Sequence, residues 1–505
     1  MLVRSVNRDW RKFSLLTMLS LFLHLLVLGA IGLIVIADPR LMEEFVTTIV
    51  GGEELADPIT EDSLLAVEGR LEVARDELLP PAETSDLQID AKGPEIDVKG
   101  PFTLRESRFV PHVEQTARGA TPINPGTSSE RPGGETFTVE VETSGRMSAT
   151  AKSLLIKQFG GNEASEAAVA SGLNWLSAHQ LRNGSWSFNH SKHPDCKGKC
   201  SQDGSLRSCP YGATAMALLS FLGAGHTHLS GDYRQQVSRA IEFLEKSANQ
   251  SRTSKGLDYR GPNDPPFPQI YAQALCAIAL CECFAMTNDA RLRPLAQGAV
   301  DLIVNSQNPA DGGWRYRRGQ PGDTSVVGFQ MMALKSAANA GIDVPSNAFK
   351  GVAFFLDLAQ VERGTKYVYV PGRQERPSDS MTAVGLLCRM YLGGSVRNPQ
   401  VEVGVKYLDG VRPQLNNMYF NYYATQVMHH WGGEEWTRWN EVMRDQLVRT
   451  QRPARSGHFA GSWDVADAHG DEGGRHYMTC LAIMTLEVYY RHLPLYDRDK
   501  LKVDF

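Results

Sequence analysis

Two short segments of this chain carry acids at the start of apolar stretches. They are GDTSVVG, with Asp323 and Ser325, and SDSMTAVG, with Asp379 and Ser380. Carboxyls there do one of two things. A side-chain oxygen can cap a helix by accepting from its exposed first-turn N–H groups. Alternatively, two carboxyls on neighbouring helices can face one cavity as an acid/base pair. A second group of reactive residues fills the insertion HSKHPDCKGKCSQDGSLRSC. His190, His193, Cys196, Cys200 and Cys209 supply nitrogen and sulfur within a span that a zinc ion could gather. A disulfide among Cys196, Cys200 and Cys209 is the simpler expectation for an exported domain, and three unpaired thiols are the remaining alternative. A third candidate is the loop from Gly461 to His476, which crowds Asp464, Asp467, His469, Asp471 and Glu472. It reads as a solvated acidic loop or as an oxygen-rich cation site.

These residues must be positioned by helices, because the last two thirds of the chain repeat one pattern. An amphipathic helix ends in Gln, a short loop carries Gly-x-Trp, and an apolar helix follows. The clearest copies are GLNWLSAHQLRNGSW, with Gln180 and Trp186, and GAVDLIVNSQNPADGGW, with Gln307 and Trp314. Partial copies end at Gln360 and at Gly461-Ser462-Trp463. Amphipathic helices are expected near 165–180, 233–249, 293–307, 348–360, 399–411 and 435–451. Helices apolar on all faces, and therefore buried, are expected near 212–224, 270–286, 324–340, 380–392, 421–431 and 476–490. Repeats of this length are stacked units, none of which buries its apolar face alone. Two concentric rings follow, an all-α toroid of about six helix pairs, with an open superhelix of pairs as the alternative.

The Gln…Gly-x-Trp pattern resembles the repeat of squalene and terpenoid cyclases, whose α/α toroid is shared with protein prenyltransferases. The resemblance runs over roughly 164–496, and it assigns the Gln and Trp residues a structural role. It also implies chemistry that this chain does not retain. The cyclases protonate an alkene from an Asp-x-Asp-Asp motif, and QPGDT keeps only its last Asp as Asp323, with Gln320 and Gly322 in place of the other acids. The prenyltransferases hold zinc with Asp-x-Cys and a distant His. No Asp-x-Cys occurs, and Met478 stands at the His position in HYMTC. Neither activity is expected intact, and no cofactor or metal is assigned.

The resemblance implies a toroid that binds a hydrophobic or isoprenoid-like ligand, catalytic or not. Candidate lining residues are Tyr259, Tyr271, Trp314, Tyr316, Tyr422, His476 and Tyr477, with core packing as the alternative for each. A non-catalytic scaffold with envelope protein partners is the second reading. A carbohydrate-active toroid with paired carboxylates is the third.

The front of the chain differs. Residues 1–12 are basic, with Arg4, Arg8, Arg11 and Lys12. Phe13–Ala37 is an apolar stretch about 37 Å long as a helix, enough for a hydrocarbon core of about 30 Å. It reads as a single membrane anchor with the N-terminus cytoplasmic and the toroid exported; a cleaved signal peptide is the alternative. Residues 38–155 are acidic and rich in Pro and Gly, a linker that buries too little apolar surface to order itself. The toroid is expected over 156–496, with a tail at 497–505. The net charge of −5 and pI of about 6.3 speak against a general nucleic-acid binder.

This topology makes a direct prediction. A reporter that matures only outside the cytoplasm, fused after residue 155, should be active. Activity from a cytoplasm-only reporter at the same junction would reverse the orientation.

Overall fold

Helix follows helix because the apolar faces come in matched pairs. The computed structural model describes residues 145–250, 252–261, 266–317, 319–393, 398–467, 470–492 and 495. The expected anchor, Phe13–Ala37, and nearly all of the linker lie outside the described residues.

A short helix, α1 (Ala149–Phe159), leads into the domain. Twelve long helices then alternate between two layers. The outer ones are α2 (Glu163–Ala178), α4 (Arg234–Gln250), α6 (Arg293–Val304), α8 (Ser346–Ala359), α10 (Pro399–Val411) and α12 (Gly433–Thr450). The inner ones are α3 (Pro210–Gly223), α5 (Pro266–Thr287), α7 (Thr324–Asn339), α9 (Asp379–Tyr391), α11 (Met418–Trp431) and α13 (Gly470–Leu486). A final turn of helix, α14 (Val488–Arg491), ends the described fold. Each inner helix packs on the next, and α13 packs on α3, so the inner ring is closed rather than an open superhelix. The outer ring meets at the same seam, where α12 packs on α2. The protein is an all-α toroid of six helix pairs.

Composition explains the two layers. In α3 every residue from Gly212 to Gly223 is buried, and small residues let neighbours approach closely. The Ile270–Thr287 stretch of α5 is apolar enough to cross a membrane, with mean hydropathy 1.6. Here it is a core helix held between α3 and α7. The outer helices carry one apolar face, as in α8, where Ala348, Val352, Phe355, Leu356 and Ala359 point inward.

Three of the connections from outer to inner helix are built identically. The Gln180 side-chain amide donates to the Gly184 carbonyl at 2.9 Å and to the Gln236 carbonyl on α4 at 2.8 Å. Gln307 does the same to Gly312 and to Ala348 on α8, at 2.7 and 3.0 Å. Gln451 does so to Gly461 and to Ala168 on α2, at 2.9 and 2.7 Å. Each Gln thus hooks its own loop to the next outer helix, and Gln451 hooks the last to the first. The glycines have φ of +90°, +72° and +84°, and a Cβ on any of them would lie 2.0–2.1 Å from a carbonyl oxygen of that next helix. Only glycine fits there. The indole N–H groups of Trp186, Trp314 and Trp463 each donate at 2.8 Å to a carbonyl near the end of the preceding helix, Leu176, Ile303 and Leu447.

Two other connections use β-hairpins. β1 (Arg252–Thr253) pairs antiparallel with β2 (Gly256–Leu257), and β3 (Gln360–Val361) with β4 (Lys366–Tyr367). Their buried aromatics are Tyr259 and Tyr367. Tyr259 N–H donates to Gln273 Oε1, and Tyr367 N–H to Thr382 Oγ1, much as Trp186 N–H donates to Thr214 Oγ1. Gln360 therefore has no Gly-x-Trp loop to hook. Its Oε1 instead accepts from Arg389 at 3.4 Å.

One boundary differs from expectation. The helix α1 begins at Ala149, inside the stretch read as linker. Leu155 and Phe159 are buried, and the helix is capped by Ser148 Oγ. Lys152 pairs with Glu166 and lies over the Tyr490 ring, and Trp436 Nε1 donates to the Phe159 carbonyl, so the helix is tied to the domain by polar as well as apolar groups.

Trp186 has no exposed surface. Trp186→Ala should destabilise the protein by about 3–5 kcal/mol, the usual cost of deleting a large buried aromatic. An unchanged melting temperature by circular dichroism would show that the wedge between helix pairs carries no stability.

Candidate functional site

The N-terminal ends of the inner helices gather the chemistry. Asp323 caps α7: its Oδ1 accepts from Val326 N–H at 2.8 Å. The backbone around it is clamped on both sides. Asp323 N–H donates to the Trp314 carbonyl, and Thr324 donates through N–H to Tyr369 O and through Oγ1 to Val368 O. The carboxyl has no exposed surface. Its Oδ2 has no hydrogen-bond partner among the described residues, and Arg315 Nε lies 3.9 Å away. Arg315 is itself held over the rings of Tyr316 and Tyr369.

Burial raises the Asp323 carboxyl to about 6, against the pull of the Val326 N–H and of Arg315. Burial, and next the Asp323 charge, pushes the phenols of Tyr271 and Tyr369 up as well, so they act as hydroxyl donors. Tyr271 donates to Ser325 Oγ at 2.9 Å, Ser325 meets Tyr419 at 2.7 Å, and Tyr316 pairs with Tyr369 through their hydroxyls. Behind them Phe329 stacks edge-on with Tyr271 and Tyr423, at ring separations of 5.7 and 5.5 Å. The end of the inner ring is therefore an aromatic cluster with hydroxyls, one guanidinium and one carboxyl that is half protonated near pH 6.

The other acid goes elsewhere. Asp379 accepts from Tyr407 on outer helix α10 at 2.6 Å and from Gln414 at 2.9 Å. Ser378, not Asp379, caps α9. The two acids do not form a pair: one faces the tyrosines of the inner ring and the other is tied to the outer layer. The two sequence copies differ because Tyr407 and Gln414 claim the second carboxylate.

Of the expected lining residues, Tyr271 and Tyr316 belong to this cluster. Tyr477 is partly buried against the core. Tyr422 packs on Tyr423. Tyr259 and Trp314 are wedges between helix pairs, buried behind the inner ring. His476 Nε2 bonds the Ala213 carbonyl of α3 at 2.9 Å, and burial pulls it down to about 3, so it is a neutral core histidine. Arg315, Tyr369 and Tyr419 were missed. Tyr419 opens an inner helix one residue after Met418, a position the expected helix 421–431 left out. Arg315 directly follows Trp314.

The acidic loop is not an open cation site. Asp464 pairs with Arg452 and with Arg475 at 2.5 and 2.6 Å, and these guanidiniums outweigh burial to pull its carboxyl down. Asp467 Oδ2 accepts from Met418 N–H at 2.7 Å in the first turn of α11, which Asn417 caps. His469 lies outside the described residues.

The three cysteines of the insertion do not converge either. Cys209 is the residue before α3. Cys196 and Cys200 form no disulfide and lie beside His179 and His458, neither of which the spacing suggested. His193 is used by the Gln180 carbonyl at 2.9 Å, and His190 lies 3.3 Å from Asp203.

A pocket of about 80 Å³ opens at the opposite end, where the C-termini of α5, α7, α9 and α11 meet. Arg146, Glu282, Lys335, His430, Arg491 and His492 line it. Arg146 and Arg491 both pair with Glu282, at 3.2 and 2.9 Å.

No family model matches the chain, and no curated protein matches it. Among solved structures it is similar to a glycoside hydrolase family 76 mannosidase from Bacteroides thetaiotaomicron. Identity is 9%, the match covers 65% of this chain and 98% of the other, and the TM-score is 0.48. It is also similar to a type II terpene cyclase from Scytonema, at 12% identity over 65% and 96%, with a TM-score of 0.42. A cellobiose 2-epimerase from Bacillus thermoamylovorans matches at 15% identity over 63% and 95%, with a TM-score of 0.45.

The Asp323 environment makes stability depend on pH. Its folded value, about 6, lies above the ordinary 3.8, so its contribution is fully present below pH 4 and is lost as pH rises through 6. Asn caps as well as Asp. Asp323→Asn should therefore gain stability relative to the parent as pH rises from 5 to 8, by about 1.5 kcal/mol. Urea titrations at both pH values measure this; equal differences at both would show that the carboxyl is not buried in its neutral form.

Proposed function

We propose that the protein is a membrane-anchored, exported toroid whose N-terminal inner mouth binds an uncharged, hydrophobic or isoprenoid-like ligand. The observation that carries the reading is the Asp323 carboxyl. It is buried among phenols, burial raises it to about 6 so that it is half protonated there, and its Oδ2 is met by the Arg315 guanidinium only at 3.9 Å. A neutral carboxyl with tyrosine hydroxyls suits a ligand that is apolar over most of its length and carries one hydroxyl or carbonyl. The aromatic faces of Tyr271, Phe329 and Tyr419 suit the apolar part.

The same carboxyl is a poor alkene-protonating acid. Such a step needs a strong acid supported by acidic neighbours, and Gly322 and Gln320 supply none. Binding without cyclisation is the reading that fits. The paired-carboxylate chemistry of a carbohydrate-active ring is not favoured, because Asp379 is engaged by Tyr407 and Gln414. A scaffold role for the envelope remains the competing reading, and the ring's rigid closure favours it.

Native mass spectrometry on the full chain in detergent separates these readings, with geranylgeraniol and squalene as probes. One ligand per chain is expected, weakened at least tenfold in Tyr271→Ala, and product analysis should find no cyclised squalene. Binding of neither probe would leave the scaffold role. Cyclic product that disappears in Asp323→Asn would restore catalysis.

A further inference from the structure

The insertion between α2 and α3 has almost no regular structure and few apolar residues, yet it is closely held. Gly204 N–H donates to the Phe188 carbonyl, and Ser205 and Leu206 N–H groups donate to the carbonyls of Asp471 and Glu472. Arg475 answers from α13, reaching the Ser201 carbonyl and Gln202 Oε1. The insertion is thus stitched across the seam where the last helix pair meets the first.

At the centre of the seam lie four metal-ligating side chains. His179 comes from the end of α2, Cys196 and Cys200 from the insertion, and His458 from the 3₁₀ turn after α12. One ligand atom from each lies within 4.8 Å of the other three. His179, Cys196 and Cys200 are buried, and His458 is half-buried. We propose that His179, Cys196, Cys200 and His458 hold one structural zinc ion, which clasps the toroid shut.

The donor set suits the ion. Two sulfurs and two imidazoles are a closed structural zinc set, with ligand–ligand separations of about 3.3–3.8 Å for ideal bond lengths. The present separations need only a small contraction. His179 and the two sulfurs are also aimed. His179 Nδ1 donates to the Trp175 carbonyl at 2.7 Å, which leaves the Nε2 lone pair facing Cys200 Sγ at 3.5 Å. A backbone carbonyl on the far nitrogen is the usual way a ligating histidine is oriented. Cys196 Sγ accepts from Cys200 N–H at 3.3 Å, which fixes the sulfur beside the Cys200 turn. Lys197 and Gly198, with φ of +49° and +73°, fold the chain back so that both sulfurs meet. The Trp175 indole stacks on His179 at 4.1 Å and donates to the His458 carbonyl at 3.0 Å, so one residue holds both imidazole-bearing segments. The Cys200 thiol now donates to the same carbonyl at 3.2 Å. On metal binding that proton leaves with the one from Cys196, two protons for one divalent cation.

The position gives the ion its purpose. Cys200 and His458 are 258 residues apart in sequence. A bond between them closes the ring from its two ends, where the first and last pairs otherwise meet by packing, by the Gln451 hook and by the hydrogen bonds of the insertion, Arg475 and Trp175. Long closures are the ones a cross-link stabilises most.

The full-length chain, purified in detergent without added metal, should contain close to one zinc per molecule by plasma mass spectrometry. Treatment with 1,10-phenanthroline should lower its melting temperature by several degrees, and zinc alone should restore it. Cys200→Ser and His458→Ala should each lose the metal, whereas Cys209→Ser should keep it. Should either variant fail to fold, cobalt exchange into the parent decides: tetrahedral visible bands with a thiolate charge-transfer absorption are expected. No zinc together with a Cys196–Cys200 disulfide in the non-reduced peptide map would overturn the proposal. So would zinc retained in the Cys200→Ser, His458→Ala double variant, or octahedral cobalt without thiolate absorption.

Discussion

Everything in this fold depends on the last helix pair meeting the first. A helix pair of this kind buries one apolar face against each neighbour, so an unclosed array leaves two faces wet. Closure removes both, but it brings together two ends that are far apart in sequence, a long loop to close. The Gln–Gly–Trp connections lower that demand locally. Each satisfies the carbonyls at a helix end and fixes the approach of the next pair through a glycine that admits no side chain. The Gln451 hook to Ala168 is the same device applied across the ends. A toroid closed by identical joints has no privileged seam. Here the seam is marked by an extra insertion, by Arg475 and by the Cys–His cluster, all on the junction that lacks chain connectivity.

The mouth chemistry follows from the same packing. Six inner helices that touch through small residues leave their first turns crowded around one axis. The six N-termini carry positive partial charge, which favours an ionised Asp323. Arg315 and the Tyr369 hydroxyl act in the same direction, but burial of the whole carboxyl opposes all three and wins. At the far end the arginines Arg146 and Arg491 complement the helix C-termini and are spent on Glu282. That end holds two guanidiniums against buried carboxylates, whereas the Asp323 end sets one carboxyl among phenols with a single guanidinium 3.9 Å away.

How much of this was legible in the sequence varies with distance along the chain. The twelve long helices could be read because their evidence is local: period, apolarity and the Gln…Gly-x-Trp punctuation. Asp323 as a cap was legible for the same reason. Its chemistry was not, since burial is made by Arg315, Tyr369 and Tyr419, which approach from other loops and helices. Asp379 looked equivalent because its flanking residues are; Tyr407 and Gln414, outside the motif, decide its fate. The hairpins that replace Gly-x-Trp in two repeats hid Tyr259 and Tyr367 from any search for tryptophan.

The cysteine insertion shows the limit most clearly. Read alone, HSKHPDCKGKCSQDGSLRSC offers five nearby ligands, and a disulfide is the simplest outcome. The fold discards three of the five: His193 serves the Gln180 carbonyl, His190 stands beside Asp203, and Cys209 precedes α3. It then adds His179 from the preceding helix and His458 from the far end of the chain. Sequence proximity selected a self-contained loop site, whereas ring closure selects ligands from both sides of a junction. A cluster that needs both chain ends to form can report on, and hold, the one event that no local motif can enforce.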